Sequence, residues 1–204
     1  MSYYNSIQSI LIAIVLIFCG THTTFAQSGP NVVKWVIEKK STLRVDGRSN
    51  VNSFTCNINE YAGNDTIICA YDLSKSIKLS GKMQMDIVSF NCHSNMITKD
   101  LRKSLKASEY PKMVIHFLTL QWMPALHDTT EVIKGWVEVE LAGVTKRFEL
   151  SYSFTRGDSG NILLNGGRSF NFSDFKLSPP HKLAGLVKVR DDFDVNFELI
   201  LKTV

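Results

Sequence analysis

Apolar and polar residues alternate with a period of two over most of this chain. Ile77, Leu79, Met83, Met85 and Ile87 alternate with Lys78, Ser80, Lys82, Gln84 and Asp86, which predicts a strand with one apolar and one wet face. Ile133, Val137, Val139 and Leu141 repeat the pattern, as do Phe148, Leu150, Tyr152 and Phe154, and Ala142, Gly143 and Val144 form a tight reversal between the two runs. The last segment carries it furthest: Val187, Val189, Phe193, Val195, Phe197, Leu199 and Leu201 alternate with charged and polar residues. A strand that long is expected to bend near Asp191 and Asp192. Further strands are predicted over 33–37, 42–45, 51–58, 66–71, 113–122 and 162–172, punctuated by Asp46-Gly47, Gly63-Asn64, Gly157-Asp158 and Gly166-Gly167.

Only Thr98 to Ala107 reads as a helix, with Thr98 as N-cap, Asp100 in the first turn and Leu101 and Leu105 on one face; Tyr110-Pro111 then stops it. A short turn is expected at Asp174 to Leu177, before Pro179 and Pro180. Many antiparallel strands with one apolar face must stack as two sheets or close on themselves, and closure removes exposed edges. Long strands favour a barrel, and a barrel of about eight strands has room for one small or chain-like ligand.

The N-terminus has a different character. Residues 1–33 contain no Asp, Glu, Lys or Arg, and Ile10 to Cys19 is an unbroken apolar run followed by small and polar residues up to Ala26. That outline predicts a signal peptide, residues 1–26, and one mature domain, residues 27–204. The run falls short of the roughly 20 apolar residues that span a bilayer. A lipoprotein cysteine wants a small residue before it, and Phe18 precedes Cys19. A periplasmic or secreted protein with no stable membrane span and no lipid anchor is therefore expected.

The net charge of +4 lies wholly after residue 33, in basic runs no longer than two, which argues against a nucleic-acid groove. After cleavage Cys56, Cys69 and Cys92 remain, an odd number that permits one internal bridge. Cys56–Cys69 and Cys56–Cys92 are both compatible with the strand pattern, as are three buried thiols, and no close C-x-x-C spacing suggests a metal.

Several stretches together resemble the YceI-like proteins, a lipocalin-like group. They are Ser41 to Val51 (STLRVDGRSNV), Met96 to Leu101 (MITKDL), Leu105 to Phe117 (LKASEYPKMVIHF), and Gly135 onward through Leu141 to Leu150 (LAGVTKRFEL), in the family's order over nearly all of residues 27–204. The chain departs from better-known members at Ser49-Asn50-Val51 and Asn52-Ser53-Phe54, where they carry a His followed by Gly-x-Phe, which marks a divergent branch. The resemblance implies an all-β fold, an antiparallel eight-stranded lipocalin-like barrel with one short helix after the middle strands. It further implies a polyisoprenoid, quinone tail or fatty acyl chain held in the lumen. The inward members of the alternating strands are then the candidate ligand-binding residues: Phe54, Met83, Met85, Ile87, Met113, Ile115, Phe117, Val137, Val139, Phe148, Leu150, Phe170, Phe172, Val195 and Phe197.

No catalytic constellation is expected. His93, His116, His127 and His181 are scattered, no serine lies in Gly-x-Ser-x-Gly, and neighbouring Asp191 and Asp192 point to opposite faces of a strand. No cofactor or metal is expected. The partner expected is an apolar or amphipathic lipid; homodimer formation stays open, and a surface module of the cell envelope with a packed lumen is the alternative.

Overall fold

The computed structural model describes residues 31–71, 77–126, 130–182 and 187–204. The expected signal peptide and His127 lie outside these residues. Among the described residues twelve strands follow one another: β1 (Asn31–Ile37), β2 (Thr42–Ser49), β3 (Ser53–Ile58), β4 (Thr66–Tyr71), β5 (Ile77–Ser80), β6 (Lys82–Asp86), β7 (Lys112–Leu120), β8 (Glu131–Leu141), β9 (Val144–Arg156), β10 (Ile162–Asn171), β11 (His181–Lys182) and β12 (Val187–Thr203). The α-helix of the described residues, α1 (Asn95–Ser104), lies between β6 and β7. No described helix is long and apolar enough to cross a membrane.

The strands close into an eight-membered antiparallel ring in the order β1, β4, β5, β7, β8, β9, β10 and β12, with β12 returning to β1 through Trp35 opposite Thr203 and Ile37 opposite Leu201. The expected barrel is therefore present. Three ring members are prolonged by a second strand. β2 continues β1 along the same edge of β12, β3 continues β4 as the partner of β2, and β6 continues β5 along β7 beyond Gly81. The lower half of the lumen is filled by Trp35, Ile37, Ile67, Leu120, Ile133, Phe154 and Leu201, each 2% exposed or less.

The ladders are incomplete in the upper half. β9 and β10 pair only from Ile162–Arg156 to Gly167–Ser151, so residues 144–150 and 168–171 diverge. On the other side no described ladder joins β3 to β6. There β3 forms a bridge between Asn57 and Asn91, with reciprocal backbone bonds of 2.8 and 2.9 Å, and the Cys56–Cys92 disulfide reinforces it. Asp65 spans the same split lower down, accepting from the Tyr61 hydroxyl at 2.5 Å and from the backbone N–H of Gln84 at 2.8 Å. The disulfide is one of the two pairings that spacing left open; Cys69 is buried and free, and burial pushes its thiol up to about 11.

Several local readings change. α1 begins at Asn95 because the Ser94 side chain accepts from the backbone N–H of Ile97; Thr98 is not the cap, and its hydroxyl oxygen instead accepts from Cys92 N–H at 3.0 Å. Asp46-Gly47 is not a turn. β2 runs on to Ser49, and Gly47 lies under the Phe54 ring, where a Cβ would approach Cζ to 2.3 Å, while Asp46 is held by Arg44 and Thr55. Gly166-Gly167 likewise sits inside β10 rather than between strands. The reversal after β8 is made by Ala142 and Gly143 alone, both at positive φ (51° and 76°), with Val144 already paired to Leu141. The bend expected in the last strand is present: the register with β2 shifts between Val189 and Phe193.

The disulfide closes a sequence separation of 36 residues. Chain-entropy arguments assign such a cross-link roughly 2–4 kcal/mol. Replacing Cys56 and Cys92 together by Ala is expected to lower the free energy of unfolding by about that amount, read as an earlier urea midpoint; an unchanged midpoint would show that the bridge adds nothing.

Candidate functional site: an apolar cavity in the upper barrel

Above the packed lower half lies a cavity of about 90 Å³. Its wall is drawn from five strands of the ring and from two of the strands that prolong it: Leu43 and Val45 from β2, Met83 and Met85 from β6, Met113, Ile115 and Phe117 from β7, Val137, Val139 and Leu141 from β8, Leu150 and Tyr152 from β9, Phe170 from β10, and Phe193, Val195, Phe197 and Leu199 from β12. The pleat explains the selection, since in each strand alternate residues face inward. Phe90, Leu101 and Leu105 cover the cavity from the turn and helix that fill the β3–β6 split, and Phe172 and Phe175 close it from the turn after β10.

Twelve of the expected lining residues therefore border one cavity: Met83, Met85, Met113, Ile115, Phe117, Val137, Val139, Leu150, Phe170, Phe172, Val195 and Phe197. Three do not. Phe54 lies across Gly47 on β2. Ile87, fully buried, has left the strand for a short 3-10 turn at the end of β6. Phe148 is drawn into the β9–β10 split, packed edge-on against Phe170 at 4.8 Å and tilted against Phe175 at 5.9 Å, with the Arg168 guanidinium over its ring. Ile87 and Phe148 are buried and Phe54 is half-buried, but a period-two pattern carries no information on where the ladders part.

Sequence reasoning also passed over Leu101 and Leu105 as cavity residues, although their spacing on one helix face was legible, and over Phe90, Phe175 and Tyr152. A helix packed into a gap between strands has no signature in a strand pattern. Arg102 holds this helix down by donating to the carbonyl oxygens of Val88 and Phe90.

Polar groups are few around this wall. Arg168 is the one exposed residue among those lining the cavity, and it stands where β9 and β10 diverge. Arg168 donates to the Glu149 carbonyl oxygen at 2.7 Å. Across the same opening Lys146 pairs with Asp174, whose carboxyl lies below its usual range because the Lys146 ammonium and hydrogen bonds from Asn171 outweigh partial burial. Within the cavity Tyr152 is 1% exposed, and its hydroxyl has no hydrogen-bond partner.

The remaining candidates do not converge. His93 is exposed beside Asn57, with Nε2 to Nδ2 at 3.2 Å, and His116 sits on β7 between Lys82 and Glu138. Asp191 accepts from Ser173 while Asp192 pairs with Arg190 and Arg48. Among the described residues no group of three His, Cys, Asp or Glu side chains could hold a metal ion.

Gly135 and Gly166 make room for the largest rings at this level. A Cβ on Gly135 would meet the Thr119 carbonyl oxygen at 2.3 Å and Tyr152 at 2.8 Å, whereas one on Gly166 would meet only Phe197 Cζ at 2.3 Å as its nearest contact. Backbone cannot yield as a ring can, so Gly135→Ala is expected to cost about 1–3 kcal/mol of stability and Gly166→Ala less. Urea midpoints in the opposite order would contradict this packing.

No family model matches the chain, and no curated protein matches it in sequence. Solved structures do match. BcnA from Burkholderia cenocepacia superposes with a TM-score of 0.59 at 15% identity, over 79% of this chain and 96% of BcnA. A polyisoprenoid binding domain from Saccharophagus degradans, implicated in plant cell wall breakdown, gives 0.59 at 13% identity, over 83% and 98%. The YceI protein of Campylobacter jejuni gives 0.50 at 20% identity, over 68% and 80%. An eight-membered antiparallel ring with one short helix, matched over most of its length by these proteins, gives the chain the YceI-like, lipocalin-like fold.

Proposed function

We propose that this chain is an exported binding protein that holds an apolar chain, such as a polyisoprenoid, quinone tail or fatty acyl group, in the upper lumen of its barrel without catalysing a reaction on it. The observation that carries the reading is the cavity wall itself: apart from Thr42, Tyr152 and the rim residue Arg168, every lining side chain is apolar. Each methylene moved from water into such surroundings gains about 0.8 kcal/mol, so a ten-carbon stretch gains roughly 8 kcal/mol before ordering costs. A solved structure of the same fold is that of a polyisoprenoid binding domain, which supports this class of ligand. The apolar run before Ala26 supports export.

The size of the cavity sets a condition. An apolar void of about 150 Å³ accommodates a benzene-sized guest, so about 90 Å³ admits a long chain only if the wall gives way. Met83, Met85 and Met113 supply that freedom, because an unbranched thioether refits to a new neighbour at little cost. The opening beside Arg168 supplies the route, since the ladder there is already parted.

Native mass spectrometry of residues 27–204, purified without detergent and followed by organic extraction, tests the proposal. A discrete adduct that extracts as an isoprenoid, quinone or acyl chain is the expected result. A bare mass with no uptake of added lipid would overturn it and leave a packed barrel that acts through its surface. Val139→Phe, which fills the cavity at a cost of about 1–3 kcal/mol, is expected to abolish uptake while the circular dichroism stays unchanged. Undiminished uptake would place the ligand elsewhere.

A further inference from the structure

The Tyr152 hydroxyl is difficult to account for in a wall built only to exclude water. Its ring packs with Phe154 at 6.3 Å and Phe197 at 6.1 Å and over Gly135, at the level where the cavity meets the filled lower lumen. A phenylalanine would make the same ring contacts. A buried hydroxyl left without a partner carries a desolvation cost that Phe would not. Burial also raises its pKa above the ordinary tyrosine value, so the group is a neutral O–H donor. Among the described residues only Arg102 Nε shares the condition of a buried, unpartnered side-chain polar atom, and Arg102 already donates twice through Nη2.

We propose that Tyr152 is a specificity-determining residue: its hydroxyl donates a hydrogen bond to an uncharged oxygen, an alcohol or carbonyl, carried by the apolar ligand and delivered to the floor of the cavity. The inference rests on the binding reading above and adds the chemistry and orientation of the guest. An ionised phosphate or carboxylate does not suit this position. The one charged side chain on the cavity wall is Arg168, which lies at the rim, and a charge taken to the floor would be desolvated with a single donor to compensate. The polar oxygen therefore enters first, and the tail extends toward the rim and the covering helix.

The test compares two C15 chains of matched shape, farnesol with its hydroxyl and the hydrocarbon β-farnesene, against the unaltered protein and Tyr152→Phe. The ratio of their affinities in each protein cancels differences in the solubility of the probes. A favourable buried hydrogen bond predicts that the preference for farnesol falls by roughly three- to tenfold in Y152F. The thermal midpoint of ligand-free Y152F is expected to stay level or rise, since no protein partner is lost. Binding of both chains with an unchanged ratio overturns the assignment of Tyr152 and leaves the binding reading standing. A lowered midpoint overturns it too, by revealing a protein partner for the hydroxyl. Failure of the unaltered protein to bind either chain overturns both readings.

Discussion

Both edges of β12 are occupied along most of its 17 residues, and the closed ring depends on that double pairing. One edge carries β10 in an unbroken register from Asn171 opposite Asp192 to Ile162 opposite Leu201, and the other carries first β2 and then β1. Without the second edge the sheet would be open, and the apolar face that now points into a lumen would have to find another layer. Closure also lets the lower half, where the ring is continuous, be filled by large apolar side chains such as Trp35, Ile133 and Phe154.

The upper half is wider because two ladders part, and the chain treats the two openings differently. Between β3 and β6 the gap is sealed by covalent and helical means: the Cys56–Cys92 bridge, the Asn57–Asn91 pairing and the buried face of α1. Between β9 and β10 it is filled by the turn after β10 and by side chains: Phe148, Phe170 and Phe175 pack together, Arg168 lies over the Phe148 ring, and the Lys146–Asp174 pair spans the top. Side chains can rotate where a disulfide cannot. The more yielding of the two openings is thus the one next to the rim of the cavity.

Much of this was legible in the alternation of residue types. Met83, Met85, Val137, Val139 and Leu150 face inward because a strand with every second residue apolar has only one way to bury them. Positions where tertiary contacts outweigh local preference were less accessible. Gly47 reads as a turn after Asp46 until the Phe54 ring above it is seen. Thr98 reads as a cap by type, yet Ser94 caps the helix, because the Thr98 hydroxyl engages the Cys92 backbone instead. Phe148 belongs to the inward face by parity, yet leaves the cavity because the neighbouring ladder has already separated at Gly167. Tyr152 looks in sequence like one more inward aromatic; its unpartnered hydroxyl emerges only from the packing around it.

The central claim is that an apolar chain occupies the upper lumen rather than the outer surface, and the methionines report on it directly. Met83, Met85 and Met113 border the cavity, while Met96 is 65% exposed on α1. With ¹³C-labelled methionine methyl groups, titration with a long prenyl or acyl chain should shift the resonances of Met83, Met85 and Met113 together and leave that of Met96 in place. A shift confined to Met96, or no shift among the three cavity methionines at saturating ligand, would contradict the account.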